Sequence, residues 1–296
     1  MPFGGWAWAV TRLVAFIGLV SLFAIVLGIV WTMLPLPTTT TVAFLGAAVT
    51  AASAVLAGAV LLRFADHRSP AALGISFSRL TLPHVGIGLA IGFTALIAAV
   101  LALLLTGTLR YDAQAGTMAA WLSVIALQGG IFVVAAFAEE ALFRGYPFQV
   151  LARWAGPAAA VLVTSLLFAA AHGANPEIGP IALVNIFLAG AMLGVAYLRT
   201  LSLWFATAVH VGWNWAMATW FDLPVSGIAG FDTPLYQPAI DGPVWWSGGA
   251  FGPEGGLVGT LGFSVAFAAL YLRLVRPDPA IRRAGPLFVE HEKEQA

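Results

Sequence analysis

The chain has 296 residues, 60% of them hydrophobic and only 9% charged, with a formal net charge of +0 and no cysteine. A soluble domain carries about a quarter charged residues, so this composition excludes a water-soluble globular protein. The lack of cysteine excludes disulfides, thiol nucleophiles and thiolate metal sites. The basic residues are dispersed, which argues against nucleic acid as a partner.

Apolar runs long enough to cross a bilayer recur along the whole chain. A hydrocarbon core of roughly 30 Å requires about 20 residues of helix. That criterion predicts spans at 11–34, 40–62, 83–106, 120–143, 157–173, 181–198, 202–221 and 256–274. The sequence therefore predicts an all-α integral membrane protein, a bundle of about eight transmembrane helices in one polytopic domain, 1–296.

The distribution of basic residues predicts the orientation of these spans. With the N-terminus inside, every basic residue except Arg110 falls in an inner segment, including Arg273 and Lys293, as the positive-inside rule requires. The outer segment 222–255 is instead acidic. We therefore predict that both termini are cytoplasmic. Arginine far outnumbers lysine in a chain rich in alanine and glycine, which favours a bacterial source and hence the bacterial cytoplasmic membrane.

Four ionisable residues stand in or at the end of apolar spans. Glu139 and Glu140 end the run Ile131 to Ala138, His172 ends the fifth span, and His210 lies in the middle of the seventh. Such groups cost several kcal/mol in a membrane unless they are paired or hydrated, and they usually face a bundle interior or a polar cavity. These positions are therefore candidates for a functional site.

Helical spacing predicts which of these side chains share a face. Glu140 can pair with Arg144 one turn later, whereas Glu139 points about 100° away and is left free for chemistry. By the same spacing, two further pairs lie on common faces, His210 with Asn214 and Phe168 with His172.

Depth in the bilayer gives an independent expectation at 1.5 Å per residue. If the helix carrying Glu139 continues to about residue 151, Glu139 lies ~18 Å from the inner face. The same count places His172 at ~22 Å, His210 at ~12 Å and Asn214 at ~18 Å. Three helices thus bring these four side chains to similar levels.

This set of groups supports two ways of activating a water molecule. Glu139 can act as general base with His172 orienting the water, while His210 and Asn214 donate hydrogen bonds to a developing oxyanion. Alternatively, Glu139, His172 and His210 can ligate a zinc ion and leave one position open for water. The zinc-protease signature His-Glu-x-x-His and the serine-hydrolase elbow Gly-x-Ser-x-Gly are both absent.

Three motifs in these spans carry a family resemblance. Glu139-Glu140-Ala-Leu-Phe-Arg144 has the pattern EExxxR, Phe168-Ala-Ala-Ala-His172 has FxxxH, and His210-Val-Gly-Trp-Asn214 has HxxxN. In this order they resemble the CAAX protease and bacteriocin-processing family, also called the Abi family.

The resemblance implies an intramembrane endopeptidase of the glutamate type that acts on membrane-associated, in some relatives lipidated, proteins. Its catalytic residues would be Glu139, His172, His210 and Asn214, supported by Glu140, Arg144 and Phe168. No metal is obligatory in this interpretation, although Zn²⁺ stays open. The family-type core would occupy about 120–221, after extra helices at 11–106 and before the last helix 256–274 with its short polar tail.

Two other classes of function remain open at this point. Acidic and histidine groups in spans also mark proton-coupled carriers, although the internal repeats typical of many carriers are absent here. A non-catalytic immunity or scaffold protein is the other alternative. The partners expected for the protease are a membrane-associated protein or peptide substrate and the lipid bilayer.

Overall fold

The computed structural model describes residues 5–32, 39–272 and 274–289. Arg273 and Lys293, which the orientation prediction counts as inner, lie outside the described residues. Part of the C-terminal end of each of the predicted spans 11–34 and 256–274 also lies outside the described residues.

Helices make up most of the described chain, in agreement with the predicted class. They are α1 (Trp6–Thr32), α2 (Thr39–Val60), α3 (Thr81–Leu105), α4 (Met118–Phe143), α5 (Tyr146–Ala155), α6 (Pro157–Ala171), α7 (Pro180–Thr200), α8 (Leu203–Trp215), α9 (Val244–Ser247), α10 (Leu257–Tyr271) and α11 (Pro279–Ala284). A small antiparallel sheet, which was not predicted from the sequence, is also present, and in it β1 (Leu109–Ala113) pairs with β2 (Tyr236–Ile240).

Each predicted span coincides with an apolar helix, but the helices differ in length. Within the described ranges, five helical stretches are long and apolar enough to cross a membrane, among them α1, α3 and α7. Helices α6 and α10 have 15 residues each, about 22 Å, which is shorter than a hydrocarbon core. Helix α8 is also short and is extended by a π-helical turn at Ala216–Trp220. A count of eight crossing helices therefore stays a prediction.

The helix that carries Glu139 ends where the predicted span 120–143 ends. The depth estimate assumed instead that it continues to about residue 151, but α4 stops at Phe143 and the amphipathic helix α5 begins at Tyr146. Gly145 lies at the break, where a Cβ atom would stand 2.3 Å from the carbonyl oxygen of Ala141. Pro147 follows in the first turn of α5, where the N–H group that proline lacks would have no hydrogen-bond partner within the helix. The depth expectation for Glu139 thus used a helix that was too long.

The connections gather at two ends of the bundle. The end that holds the two strands, called the sheet end, comprises 106–117, 172–179 and 221–256. Hydrogen bonds of 2.9 Å join its segments, from Asn175 to the carbonyl of Ser226 and from Tyr111 to the carbonyl of Phe221.

The opposite end, called the basic end, comprises 61–80, 144–156, 201–202 and 274–289. The Asp278 N–H donates to the carbonyl of Thr200 at 2.9 Å, and the side chain of Gln149 donates to the carbonyl of Ala72 at 2.7 Å. Segments far apart in the chain are therefore packed together at this end.

Helices α3 and α8 approach closely through small residues, as membrane helices often do. A Cβ atom at Gly92 would lie 2.1 Å from the carbonyl oxygen of Val209, and one at Gly212 would lie 2.4 Å from that of Leu89. This contact fixes α8, the helix that carries His210 and Asn214.

We expect Gly92→Ala to force α3 and α8 apart and to lower the free energy of unfolding by about 1–3 kcal/mol. Gly86→Ala is the matched control, because a Cβ atom there meets nothing within 4 Å on the same helix. The measurement is thermal unfolding of both variants in detergent. Equal unfolding temperatures for the two variants would contradict the close approach.

Candidate active site

Three helices bring the predicted residues to one cavity. Helix α4 supplies Glu139, the residue after α6 is His172, and α8 supplies His210 and Asn214. All four line a cavity of about 410 Å³. The convergence expected from depth is therefore present, even though α4 ends earlier than the depth estimate assumed.

Glu140 and Arg144 lie beside this cavity and are fully buried. Their side chains are 0% exposed, and Arg144 Nη1 donates to Glu140 Oε1 at 3.0 Å. Arg144 Nη2 donates to the carbonyl of Gly190 on α7 at 2.8 Å. The guanidinium also stands 4.6 Å above the ring of Phe168, within the range of a cation–π contact. The pair expected from spacing thus ties α4 to α6 and α7.

His210 has a partner that helical spacing did not predict. Its Nδ1 lies 3.0 Å from Glu140 Oε1, whereas its Nε2 lies 3.8 Å from Glu139 Oε2. An ionised carboxylate can only accept a hydrogen bond, so Nδ1 carries a proton and donates a hydrogen bond to Glu140. Glu140 therefore joins Arg144 to His210, and the histidine directs Nε2 toward Glu139.

Glu139 differs from its neighbour in exposure and in partners. Its side chain is 35% exposed, against 0% for Glu140. Among the described residues its Oε2 has no hydrogen-bond partner, and that atom is buried. The 3.8 Å to His210 Nε2 is too long for a hydrogen bond. Glu139 thus lines the cavity with a partly exposed carboxylate, and its buried Oε2 accepts no hydrogen bond from a described group.

His172 is fixed by the helix that it ends. Its Nδ1 lies 2.8 Å from the carbonyl of Phe168, and a carbonyl can only accept, so Nδ1 carries the proton. Nε2 of the neutral ring is then an acceptor. The ring of Phe168 lies 4.5 Å from the His172 ring and 6.1 Å from the His210 ring, between centroids. Phe168 therefore packs against both histidines.

Glu254 belongs to the surroundings of the site, although it lies in the segment 222–255 that was predicted to be an acidic outer loop. It is 3% exposed. Its Oε1 accepts from Trp213 Nε1 at 3.0 Å, and its Oε2 accepts from the N–H and the hydroxyl of Ser226 at 2.8 and 2.7 Å. A signal was available in the sequence, because Glu254 stands alone among glycine, proline and apolar residues at 248–258.

A second, water-sized cavity lies behind the histidines. Its volume is about 20 Å³, enough for one water molecule. Polar side chains of the site share it, namely His172, His210, Asn214, Ser226 and Glu254. Ser226 and Asn175 also line the larger cavity. The segment around Ser226 thus forms part of the site. The predicted spans could not reveal this segment, because it lies outside every apolar run.

The donors of the site do not form a preformed metal centre. Within the ranges that the structure describes, no group of three His, Asp or Glu side chains could hold one metal ion. Nδ1 of His172 and Nδ1 of His210 are already committed to Phe168 and Glu140, so a metal could bind these rings only through Nε2. Glu139, His172 and His210, the set that the sequence offered for zinc, are therefore not grouped around one position in this structure, and a zinc cofactor stays a prediction.

Comparison with known families covers the segment that holds this site. Residues 118–216 match the family model described as Type II CAAX prenyl endopeptidase Rce1-like. No curated protein and no solved structure matches the chain significantly. The matched segment contains all three motifs in their predicted order. The family predicted from those motifs is thus confirmed for the segment 118–216, and this Rce1-like CAAX endopeptidase segment, together with the long apolar helices, indicates an integral membrane protease.

Proposed function

We propose that the protein hydrolyses a peptide bond of a membrane-associated protein by means of a water molecule activated at Glu139 and His172. The observation that carries the proposal is the shared cavity, in which a partly exposed carboxylate faces two histidines and an asparagine. The family match favours this function over the proton-coupled carrier.

The two adjacent carboxylates have different roles in this proposal. Glu140 is 0% exposed, so water in the cavity has no contact with it, and the negative charge that its Oε1 presents to Arg144 and His210 would be lost on protonation. Glu139 lines the cavity with a partly exposed side chain and can accept a proton without losing a described partner. We therefore assign the general base to Glu139 and the supporting role to Glu140.

The hydrolytic step then balances with the groups in the cavity. Glu139 takes a proton from water while the water oxygen attacks the carbonyl carbon of the scissile bond. Nε2 of His172, a fixed acceptor, orients the water through its second proton. The tetrahedral intermediate collapses with cleavage of the C–N bond, and Glu139 gives its proton to the leaving amine. The products are a carboxylic acid and an amine.

The opposite wall stabilises the oxyanion of the intermediate. The side-chain amide of Asn214 is one donor. His210 is the second, and its Nε2 donates only when the ring carries both protons, since Nδ1–H is committed to Glu140. Glu139 and Glu140 offset the positive charge of that ring. No step requires a metal in this scheme, and Zn²⁺ is not assigned a place in it.

Loss of His172 tests the proposal in cells. We expect His172→Ala to lower the rate of cleavage by about 10²-fold or more, because the water loses its acceptor. The measurement compares the peptide termini of the membrane proteome between cells that carry the native protein and cells that carry the variant. Termini present only with the native protein identify the substrate.

Asp112→Asn is the control variant, because this exposed carboxylate lies in β1, outside the site. It is expected to leave the native pattern of termini unchanged. Identical termini in native and His172→Ala cells, with both proteins at equal levels, would contradict the protease and favour the non-catalytic scaffold.

A further inference from the structure

One buried carboxylate beside the site has no part in the proposed hydrolysis. Glu254 is 3% exposed, and it lies outside the segment 118–216 that matches the family model. Its Oε1 accepts from Trp213, and its Oε2 accepts from the N–H and the hydroxyl of Ser226. All three donors are uncharged, so these contacts do not neutralise the buried charge. The cost of burying this carboxylate indicates a role beyond the filling of space.

The main chain at Glu254 is fixed to two helices. Asn185 on α7 is 0% exposed, and its Nδ2 donates to the carbonyls of Glu254 and Gly256, at 2.8 Å in each case. Its Oδ1 accepts from the hydroxyl of Thr260 on α10 at 2.7 Å. The carboxylate therefore extends from a firm support, and the groups that it binds are held relative to α7 and α10.

The first contact of the carboxylate holds the helix that carries His210 and Asn214. Trp213 directly precedes Asn214 on α8, and its ring stacks on Phe263 of α10 with 4.4 Å between the centroids. Its Nε1 donates to Glu254 at 3.0 Å, so the indole is fixed on its face and at its edge. Consecutive residues of a helix point about 100° apart. The anchored indole therefore sets the rotation of α8 about its axis, and with it the direction of Asn214.

The second contact holds the loop that follows His172. Ser226 lines the active-site cavity together with Asn175, and Asn175 Nδ2 donates to the carbonyl of Ser226 at 2.9 Å. The N–H of Asn175 donates in turn to the carbonyl of His172 at 3.0 Å. Two hydrogen bonds thus lead from Ser226 to the residue that orients the water in the proposed reaction. Glu254 also shares the water-sized cavity with His172 and Asn214.

We propose that Glu254 is a positioning residue, which holds the oxyanion wall of the cavity, at His210 and Asn214, in register with His172 on the other side. This role rests on the proposed function, since it presupposes hydrolysis in this cavity. The carboxylate acts through its contacts and does not touch the substrate. A displacement of about 1 Å at a reacting group can cost about 10²-fold in rate, so a loosened register lowers the rate of the chemical step.

Glu254→Gln is the variant that removes the charge and keeps the shape. Glutamine presents an NH₂ group in place of one of the two oxygens. Neither the indole N–H of Trp213 nor the backbone N–H of Ser226 can accept a hydrogen bond. One of these two contacts is therefore lost whichever way the amide turns, and one wall of the cavity is released.

Asp278→Ala is the control for general loosening of the fold. Asp278 is also a buried carboxylate, 2% exposed, and its uncharged donors are the N–H of Ala280, at 2.8 Å, and the hydroxyl of Ser78. It belongs to the basic end and is not part of the lining of the active-site cavity. This variant loses both hydrogen bonds and is expected to unfold at a lower temperature than the native protein, without a change at the site.

Hydrogen exchange of the purified protein in detergent tests the positioning without a substrate. We expect Glu254→Gln to raise amide exchange about tenfold at 222–232 or in α8, according to which contact the glutamine loses. Asp278→Ala is expected to raise exchange at 274–289 and to leave 222–232 and α8 as in the native protein. Native exchange in both of these segments of Glu254→Gln would overturn the proposal.

Hydrolysis of the substrate identified from peptide termini gives the second readout. We expect Glu254→Gln to lower kcat by about 10-fold to 10²-fold and to leave KM within about twofold, since the carboxylate does not touch the substrate. Asp278→Ala is expected to keep the native kcat. A native kcat in Glu254→Gln, with or without a raised KM, or an equal loss of kcat in Asp278→Ala would overturn the proposal.

A milder variant keeps the test decisive if Glu254→Gln does not fold. Ser226→Ala removes one of the three contacts and keeps the backbone N–H bond, so it is expected to lower kcat about threefold, and a native kcat there would overturn the proposal. A native protein that cleaves no substrate would contradict the proposed function instead. The exchange measurement would then still decide whether Glu254 joins the two walls.

Discussion

Replacement of Arg144 by leucine is expected to lower the free energy of unfolding by about 3–5 kcal/mol, because it leaves the buried carboxylate of Glu140 without its counter-charge. Glu140 has 0% exposed side chain, so water cannot replace the guanidinium. The hydrogen bond to the carbonyl of Gly190 is lost as well. The measurement is thermal or denaturant unfolding in detergent at equal protein concentration.

Arg110→Leu is the matched control for this prediction. Arg110 also pairs with a carboxylate, Asp241, but both side chains are more than 60% exposed. An exposed pair contributes less than about 1 kcal/mol. Equal destabilisation by Arg144→Leu and Arg110→Leu would show that the Glu140–Arg144 pair is accessible to water and would contradict the buried arrangement.

Substitution of the two adjacent glutamates by glutamine is expected to have different consequences. Glu139→Gln should lower the rate of hydrolysis by about 10²–10⁴-fold, the contribution of a general base, and leave the unfolding temperature close to native. Glu140→Gln should lower both activity and stability, since it leaves the guanidinium of Arg144 uncompensated. The measurements are cleavage of the substrate identified from peptide termini and thermal unfolding of each variant.

The reverse pattern would exchange the two roles. A Glu140→Gln variant that keeps the native unfolding temperature but loses all activity would assign the base to Glu140. Full activity in Glu139→Gln would remove Glu139 from the chemistry. Both results are distinguishable from misfolding, because each variant is scored for stability on the same preparation.

The interactions that the sequence could predict lie within single helices. The spacing of Glu140 and Arg144, and of Phe168 and His172, fixes which side chains share a face whatever the tertiary packing. The observed contacts in both pairs follow from this geometry. The apolar runs likewise predicted where the main helices lie, because a bilayer imposes their length and composition.

Interactions between helices and loops were outside the reach of these patterns. Nothing in the spacing connects His210 to Glu140, which are 70 residues apart in the chain. Glu254 belongs to a segment without helical periodicity, and its burial results from the way 221–256 packs against α8. The break at Gly145 depends on the close approach to Ala141. The catalytic roles of the four cavity residues stay predictions.

Hydrolysis by the purified protein tests the central claim most directly. The protein is reconstituted in liposomes with the substrate identified from cells, in water enriched in ¹⁸O and with a metal chelator present. We predict new C-termini that carry ¹⁸O with the native protein, and none above background with Glu139→Gln. Native protein that forms no new termini, or forms them only without the chelator, would contradict a metal-independent glutamate protease.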